Sequence, residues 1–177
     1  MELTPYEYVT SVFRTLPAII IISPILYGIV VHDHRAFIFS MMCLSCSGLN
    51  YVFKVYIFRP LYSFFQDENR NIPFLGRGTR CIGAMNCGCF IIPTRSNQLS
   101  TTFGMPSGHV QITAFFSTFC SLYSKSFITA LVLWLMTIYM GMERIRLRCH
   151  TVQQVIVGGI IGYVLGWLCF NSIGYMF

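Results

Sequence analysis

Two short groups of residues in this 177-residue chain have the types and spacing that phosphate chemistry needs. The first is Gly104-Met105-Pro106-Ser107-Gly108-His109, and the second is Arg144 followed six residues later by His150. Cleavage of a phosphate ester requires positive charge and hydrogen-bond donors around the phosphate oxygens, a nucleophile, and an acid for the leaving oxygen. The two groups supply these functions, and they predict that His109 and His150 divide the roles of acid and nucleophile.

The Ser107-Gly108 pair is predicted to bind a phosphate through the start of the helix that follows it. Backbone N–H groups at a helix N-terminus have no partner within the helix, and the helix dipole favours an anion there. Lys54, at the end of an earlier apolar run, and Arg59, five residues later, add positive charge. The motifs contain neither paired carboxylates nor the His and Cys spacing of a metal cage. We therefore expect a reaction that needs no divalent metal and no other cofactor.

These groups lie at the ends of apolar segments, in a chain that is 55% hydrophobic and only 10% charged, with a mean hydropathy of +0.63. Soluble domains carry about a quarter charged residues. A hydrocarbon layer is crossed by roughly 20 helical residues, and backbone groups in lipid must be satisfied within the segment. The chain is therefore predicted to be an all-α, polytopic membrane helix bundle of about five transmembrane helices. The apolar runs are Leu16–Val31, Ala36–Phe58, Val110–Tyr123, Phe127–Gly141 and Val152–Phe170.

No internal repeat or low-complexity tract divides the chain, and we expect one membrane-embedded domain over residues 1–177. Its longest connection, at about residues 61–105, exceeds an ordinary loop and is predicted to form a lid over the site. The expected location is a multi-pass position in a membrane, with the endoplasmic reticulum or another internal membrane compatible with this interpretation. The sequence indicates no particular oligomeric state.

The basic residues give a net charge of +6 and lie between the apolar runs rather than on a polar domain. We therefore expect a lipid phosphate substrate and membrane lipids as partners, and no nucleic acid. Threading five helices from the N-terminus places ten of the twelve Lys and Arg residues on one side of the membrane. Every candidate catalytic group falls on that side as well. The positive-inside tendency predicts that this side is cytoplasmic.

Cysteines and glycines outside these motifs have structural interpretations. Cys81, Cys87 and Cys89 lie in the long loop. One disulfide is expected if the loop faces an oxidising compartment, and free thiols if it faces the cytosol. A metal site is the least favoured interpretation, because no fourth ligand has a suitable spacing. In the last apolar run, Gly158-Gly159-x2-Gly162 and Gly166 are typical of close helix packing.

The motifs resemble those of the type 2 phosphatidic acid phosphatase (PAP2) superfamily, which is related to the vanadium haloperoxidases. The family pattern is Lys-x6-Arg-Pro, then Pro-Ser-Gly-His, then Ser-Arg-x5-His-x3-Asp. Phe103–Gln111 and the run His150-Thr151-x2-Gln154-Val155-x2-Gly158-Gly159 are most similar to the dolichyl-diphosphatase branch. The resemblance extends from about Ser23 to Phe170, and it implies a haloperoxidase-like helical core.

The resemblance implies a role for each matching residue. His150 would be the nucleophile that forms a phosphohistidine, and His109 would be the general acid for the leaving lipid phosphate. Gln154, in the position of the family's Asp, would orient the nucleophile. The phosphate oxygens would be held by Lys54, Arg144, Ser107 and the Gly108 amide.

The chain departs from the family pattern in three places, the last of which covers two positions. Glu143 replaces the Ser before the Arg. Gln154 replaces the Asp, as in the dolichyl-diphosphatase pattern; its oxygen still accepts a hydrogen bond from an imidazole but adds no charge. In the first motif, the expected Arg-Pro positions hold Leu61 and Tyr62. Either Arg59 takes over from a different helical angle, or an arginine of the long loop reaches the site, or one phosphate contact is missing. The loop candidates are Arg77, Arg80 and Arg95.

The leading hypothesis is an integral-membrane, metal-independent lipid phosphatase, with a polyprenyl or dolichyl diphosphate as the single best substrate. Two alternatives stay open. A relative with weakened catalysis would act as a lipid-binding or membrane-structural protein, for which the altered first motif is the motivation. A lipid phosphotransferase would pass the phosphate from the phosphohistidine to an alcohol instead of water.

Overall fold

The computed structural model of the chain describes residues 5–65, 72, 74–81, 84, 87–88 and 103–176. Within these residues the α-helices are α1 (Pro5–Val31), α2 (His34–Val52), α3 (Arg59–Phe64), α4 (Gly108–Ser124), α5 (Phe127–Arg146) and α6 (Val152–Ile173). A π-helical turn over Phe53–Phe58 joins α2 to α3, and a 3-10 turn over Gly174–Met176 follows α6. The described residues contain isolated β-bridges but no strand. The predicted all-α class is confirmed.

Four helical segments in the described part of the chain are long and apolar enough to cross a membrane. They are Thr10–Val31, His34–Phe64, Phe127–Arg146 and Val152–Ile173. The remaining predicted run, Val110–Tyr123, corresponds to α4. This helix has 17 residues, of which ten are buried, and it contacts α1, α2, α5 and α6. It forms the centre of the bundle, while the surrounding helices expose apolar side chains outward.

A row of glycines on α6 brings that helix against the backbone of α4. A Cβ atom added at Gly158 would lie 2.5 Å from the carbonyl oxygen of Ser107. One turn further, a Cβ at Gly162 would meet the carbonyl oxygen of Gln111, and Gly166 repeats the contact after another turn. Glycines at such spacing let helix backbones approach closely. The predicted close packing is confirmed, and it places the start of α4 beside the start of α6.

A buried pair of amides holds α2 against α4. Asn50 Nδ2 donates to Gln111 Oε1 at 2.8 Å, and Gln111 Nε2 donates to the Cys46 carbonyl oxygen at 3.0 Å. Burying an amide without a hydrogen bond is costly, so the pair favours one register between the two helices. Asn50 lies four residues before Lys54, and the same register therefore sets the position of Lys54 relative to the start of α4.

Pro60 accounts for the π-helical turn between α2 and α3. Proline has no N–H, and its ring collides with the carbonyl four residues back in an α-helix. The Arg59 N–H accordingly donates to the Lys54 carbonyl, five residues back. Because a π turn takes up one residue more than an α turn, the side chains beyond it are rotated about the helix axis. As a result Leu61 is exposed, whereas Tyr62 is fully buried.

Cys87 of the long loop forms a disulfide with Cys149, the residue before His150. Cys81 is a free thiol, and Cys89 lies outside the described residues. Disulfides persist in oxidising compartments, so the pairing favours a luminal or external position for this face of the bundle. The count of Lys and Arg residues on each side predicts instead that this face is cytoplasmic. Arginines that serve a phosphate site add to the charge count in either orientation, so the disulfide is the more direct indication of the side.

The Cys87–Cys149 disulfide is expected in protein isolated from membranes. Alkylation without reductant should leave both cysteines unmodified and joined in one cross-linked peptide pair, identified by mass spectrometry. Cys81→Ser is the control and should leave the pair intact, whereas Cys87→Ser should free the Cys149 thiol. Recovery of both cysteines as alkylated thiols from unreduced wild type would refute the pairing and support a cytosolic orientation.

Gly162→Ala should destabilise the bundle, because the added methyl group meets the Gln111 carbonyl oxygen. Overpacking of this kind costs about 1–3 kcal/mol. Gly48→Ala is the control, since among the described residues no heavy atom beyond its own stretch of helix backbone lies within 4 Å of a Cβ added at Gly48. Thermal unfolding in detergent micelles measures both variants, and equal midpoints would contradict the close contact of α4 with α6.

Candidate active site

The turn that ends α5 explains the spacing between Arg144 and His150. Arg148 adopts the left-handed conformation, with a φ of 56°. Its N–H donates to the Ile145 carbonyl at 2.9 Å, and the Cys149 N–H donates to the Arg144 carbonyl at 3.0 Å. These two bonds form a Schellman motif, which reverses the chain at a helix C-terminus. The His150 N–H also donates to the Arg144 carbonyl, at 3.2 Å, so the turn keeps His150 close to the end of α5.

Gln154 holds His150 in one tautomer. Gln154 Nε2 lies 2.7, 3.2 and 3.1 Å from the carbonyl oxygens of Arg77, Gly78 and Thr79, respectively, and donates to them. Three acceptors around this atom identify it as the amide nitrogen, so the amide oxygen is the atom 3.0 Å from His150 Nδ1. Nδ1 must then carry the hydrogen and donate it. The other ring nitrogen, Nε2, keeps its lone pair, which is the form that a nucleophile needs.

Gln154 also connects the Pro-Ser-Gly-His motif, which ends at His109, to the motif that contains Arg144 and His150. Thr151 begins α6 with a capping box, in which its hydroxyl accepts the Gln154 N–H at 3.3 Å and its own N–H donates to Gln154 Oε1 at 3.3 Å. The Gln154 carbonyl accepts the Ser107 N–H at 3.0 Å. The turn that enters α4 is therefore fixed beside His150.

The start of α4 presents hydrogen-bond donors. Ser107 is the N-cap of the helix, but its hydroxyl makes no capping bond, and its Oγ is buried without a hydrogen-bond partner among the described residues. The Gln111 N–H makes the first bond of the helix, to the Ser107 carbonyl at 3.0 Å, so the Gly108 amide precedes the hydrogen-bonded ladder. A Cβ at Gly108 would lie 3.0 Å from Asn50 Oδ1, which shows how closely α2 approaches. Together these groups can bind an anion.

Positive charge converges on His150. Its pKa is lowered to about 3, first by burial and then by three neighbouring cations. In order of effect, the cations are Arg80, Lys54 and Arg144. The hydrogen bond with Gln154 raises the pKa, but it offsets only part of the shift. His150 is therefore neutral at physiological pH, and it lies within the electrostatic range of all three cations.

His109 lies in the same charged region, in the first turn of α4. Its side chain is 7% exposed, and it interacts electrostatically with Arg144, His150 and Arg80. The ring also makes a hydrogen bond with the backbone of Arg14, so α1 helps to orient it. The two histidines thus lie near each other and near shared positive charges, as an acid and a nucleophile acting on one phosphate would require.

The structure brings together seven of the eight site residues expected from the sequence, namely Lys54, Ser107, Gly108, His109, Arg144, His150 and Gln154. Arg59 is exposed on α3, and it is not among the charges that act on His150 or His109. Of the loop arginines considered in its place, Arg80 acts on both histidines. Arg95 lies outside the described residues. The catalytic roles of all these residues stay predictions.

Three neighbours of the site were not expected from the sequence: Cys149, Asn50 and Gln111. Cys149 lies on the same predicted membrane face as Cys87, and that shared position could have indicated the pairing. Amides within apolar runs, such as Asn50 and Gln111, indicate buried hydrogen bonds between helices in membrane proteins. The shared face of the cysteines and the amides within apolar runs each indicate that a bond forms, but they do not show which residue is at its other end.

A family model described as the PAP2 superfamily matches residues 35–176. This match covers most of the chain, so the protein belongs to the PAP2 superfamily, and the predicted resemblance is confirmed. Within this class the chain is similar to Dolichyldiphosphatase 1 of Dictyostelium discoideum, with 31% identity over 97 aligned positions that cover 48% of this chain and 42% of that protein. The chain thus matches less than half of the length of this relative. No solved structure matches the chain.

The lowered pKa of His150 predicts that the protein loses stability as the pH falls. A histidine in an unfolded chain has a pKa of about 6.5, whereas folded His150 has a pKa of about 3. Below about pH 6.5 the unfolded state binds a proton that the folded state excludes, so the free energy of unfolding falls by up to about 1.4 kcal/mol per pH unit. This contribution is fully present above the unfolded pKa and is lost as the pH approaches the folded one.

Unfolding in detergent micelles across this pH range, with wild type and His150→Asn compared, measures the effect. Asn keeps a hydrogen-bond donor but does not titrate, so the variant should lose stability less steeply. An identical pH dependence for the two proteins would contradict a buried, neutral His150.

Proposed function

We propose that the protein is an integral-membrane lipid phosphatase that hydrolyses a lipid phosphate or diphosphate, with a polyprenyl or dolichyl diphosphate as the favoured substrate. The observation that carries the proposal is the group of cations around a buried, neutral His150 in a bundle of apolar helices. Membership of the PAP2 superfamily supports it, as does the similarity to a protein named as a dolichyldiphosphatase.

In the first step, His150 attacks the phosphorus atom through Nε2, the ring nitrogen that Gln154 leaves without a hydrogen. An N–P bond forms while the bond between phosphorus and the leaving oxygen breaks. His109, in its protonated form, gives its proton to that oxygen, so the departing lipid group gains no extra negative charge. Burial and then the charge of Arg144 lower the pKa of His109. The negative charge of a bound substrate would raise that pKa, so His109 would take up its proton when the substrate binds. The product on the protein is a phosphohistidine.

In the second step, a water molecule attacks the phosphorus of the phosphohistidine. His109, now neutral, accepts a proton from the water, and the N–P bond breaks to release inorganic phosphate. Both histidines then return to their starting forms. The same nitrogen of His150 thus serves as nucleophile and as leaving group.

Positive charge and hydrogen-bond donors stabilise the transition state. The transferred phosphoryl group carries charge on its three equatorial oxygens, and donors that are already in position stabilise it most effectively in a site shielded from water. The groups that would hold these oxygens are Lys54, Arg144, the Ser107 hydroxyl and the Gly108 amide. Because these side chains supply the cationic charge themselves, we propose a reaction that requires no divalent metal.

An apolar groove supports a lipid as the substrate. A cavity of about 450 Å³ lies between α2, α4 and α6, and it is lined almost entirely by apolar side chains. On α2 its lining extends from Phe37 to Leu49, a rise of about 18 Å. Leu49 is five residues before Lys54. The groove therefore offers an apolar chain a path from the bilayer toward the phosphate site.

Phosphate release from a panel of lipid phosphates and diphosphates in EDTA tests the proposal. Wild type should release phosphate, most rapidly from a polyprenyl diphosphate. His150→Ala should abolish release because no phosphoenzyme can form, and His109→Ala should slow it by about 10²–10⁴-fold, the usual contribution of general acid–base catalysis. His34→Ala is the control, because His34 is exposed at the start of α2, remote from Lys54.

Rapid quenching with a substrate that carries a labelled phosphoryl group should trap a labelled wild-type protein and no labelled His150→Ala protein. Full turnover by His150→Ala would refute the mechanism. Absence of phosphate release from every lipid, with lipid binding unaffected by either histidine substitution, would favour a lipid-binding protein instead. Formation of an alkyl phosphate from an added alcohol would identify a phosphotransferase.

A further inference from the structure

Tyr62 occupies one of the two positions at which the first motif departs from the family pattern, and it anchors the long loop. Its hydroxyl lies 3.1 Å from the Leu75 carbonyl oxygen and 3.0 Å from the Gly76 carbonyl oxygen, and its one hydrogen is shared between these two acceptors. Its ring packs edge-on against Phe103, with the centroids 5.5 Å apart. Tyr62 thus binds residues 74–81 of the loop, a segment that we call the strap.

A second set of hydrogen bonds, donated by Gln154 and Gly104, also holds the strap. Gln154 Nε2 donates to the consecutive carbonyls of residues 77–79, at distances of 2.7, 3.2 and 3.1 Å. The Gly104 N–H donates to the Gly78 carbonyl at 2.8 Å. These bonds fix the backbone on either side of Gly78, and they consequently fix the position of Arg80 two residues later.

The strap directs the side chain of Arg80 to the two histidines. A Cβ added at Gly104 would lie 3.1 Å from Arg80 Cγ, so the missing side chain of Gly104 leaves room for the arginine. The charge of Arg80 acts on Lys54, His109 and His150. Arg80 Nε is buried and has no hydrogen-bond partner among the described residues. Burial also lowers the pKa of the guanidinium.

We propose that Arg80 is a phosphate-binding residue of this site and replaces the arginine that the first motif lacks. This inference rests on the proposed phosphatase function. Tyr62 links the two changes. It occupies one of the motif positions at which the arginine is missing, and it holds the strap that carries Arg80. The phosphate contact has therefore moved from α3 to the strap.

The electrostatics of the pocket favour an anion next to Arg80. Burial and neighbouring positive charges both disfavour a charged guanidinium, and an unused N–H adds to the cost. A phosphate group would supply both the opposite charge and the missing acceptor. A guanidinium binds two phosphate oxygens in a planar fork, which a lysine cannot reproduce. Arg59 is exposed on α3, so burial does not disfavour its charge.

Arg80→Ala should lower kcat/KM on a polyprenyl diphosphate by about 10²–10³-fold, the effect of removing one donor to a transition-state oxygen. Arg80→Lys keeps the charge and should recover part of that loss. Orthovanadate, a phosphate analogue whose binding needs no turnover, should bind Arg80→Ala at least about tenfold more weakly. Arg146→Ala removes an exposed charge near the end of α5 and is the control, with wild-type rates and vanadate affinity expected.

Tyr62→Phe tests whether the anchor acts through Arg80, because it removes only the hydroxyl. The lost hydrogen bond should lower kcat/KM by about tenfold in the wild-type background. In the Arg80→Ala background the same substitution should have little further effect, since coupled residues are not additive. Tyr51→Phe is the control, because Tyr51 is 64% exposed on α2.

Wild-type activity and vanadate affinity in Arg80→Ala would overturn the assignment, as would a large loss in Arg59→Ala with Arg80→Ala still active. If Arg80→Ala fails to fold, Arg80→Lys decides: a loss of kcat/KM and vanadate affinity in a folded Lys variant supports the proposal, and wild-type values overturn it. Additive effects of Tyr62→Phe and Arg80→Ala would refute the link between anchor and strap. If wild type lacked phosphatase activity, the function proposed above would fail, and vanadate binding would still test Arg80 as an anion ligand.

Discussion

The side-chain amide of Gln154 is the interaction on which the rest of the site depends. Its oxygen accepts hydrogen bonds from His150 and Thr151, and its nitrogen donates to three strap carbonyls. The backbone carbonyl of the same residue accepts the Ser107 N–H. One residue in the first turn of α6 thus sets the tautomer of a histidine, the position of the strap and the start of α4. A carboxylate could orient His150 and add charge, but it has no hydrogen to donate to the strap. The amide in place of the family's Asp is therefore explained by the strap that it holds.

Close packing of backbones is what lets one amide reach so many partners. The glycine row on α6 removes the side chains that would keep α4 at a distance, so that Ser107 comes within hydrogen-bond range of the Gln154 carbonyl. Gly104 has the same role on the strap side, where an added Cβ would lie 2.6 Å from Gln154 Oε1. Small residues that appear unremarkable in an apolar sequence therefore have a direct effect on the geometry of the polar site.

The pocket concentrates positive charge around a histidine that it keeps neutral. Several cations in a buried site repel one another, and this arrangement costs stability until an anion binds. The same charges would act in a site shielded from bulk water, where electrostatic stabilisation of a phosphoryl group is strongest. The position of these cations also contributes to the uneven distribution of Lys and Arg residues between the two sides of the membrane. Arginines that serve the site lie on its membrane face whichever way the protein inserts, so the positive-inside count reports the site as well as the topology.

The order of the residues along the chain was enough to predict the features that depend on close neighbours in the sequence. Apolar runs predicted the helices, the glycine spacing predicted close packing, and Arg144-x5-His150 matches one turn at a helix end, because each of these arises within a few residues along the chain. The folded bundle was needed to show which loop arginine lies near the histidines, which cysteine pairs with Cys87, and which groups Gln154 binds besides His150. The disulfide joins residues 62 positions apart, and Gln154 bonds to carbonyls 75 to 77 positions away. Contacts at such separations depend on how the helices pack and on where Tyr62 anchors the strap. The spacing of residues within a motif therefore does not predict them.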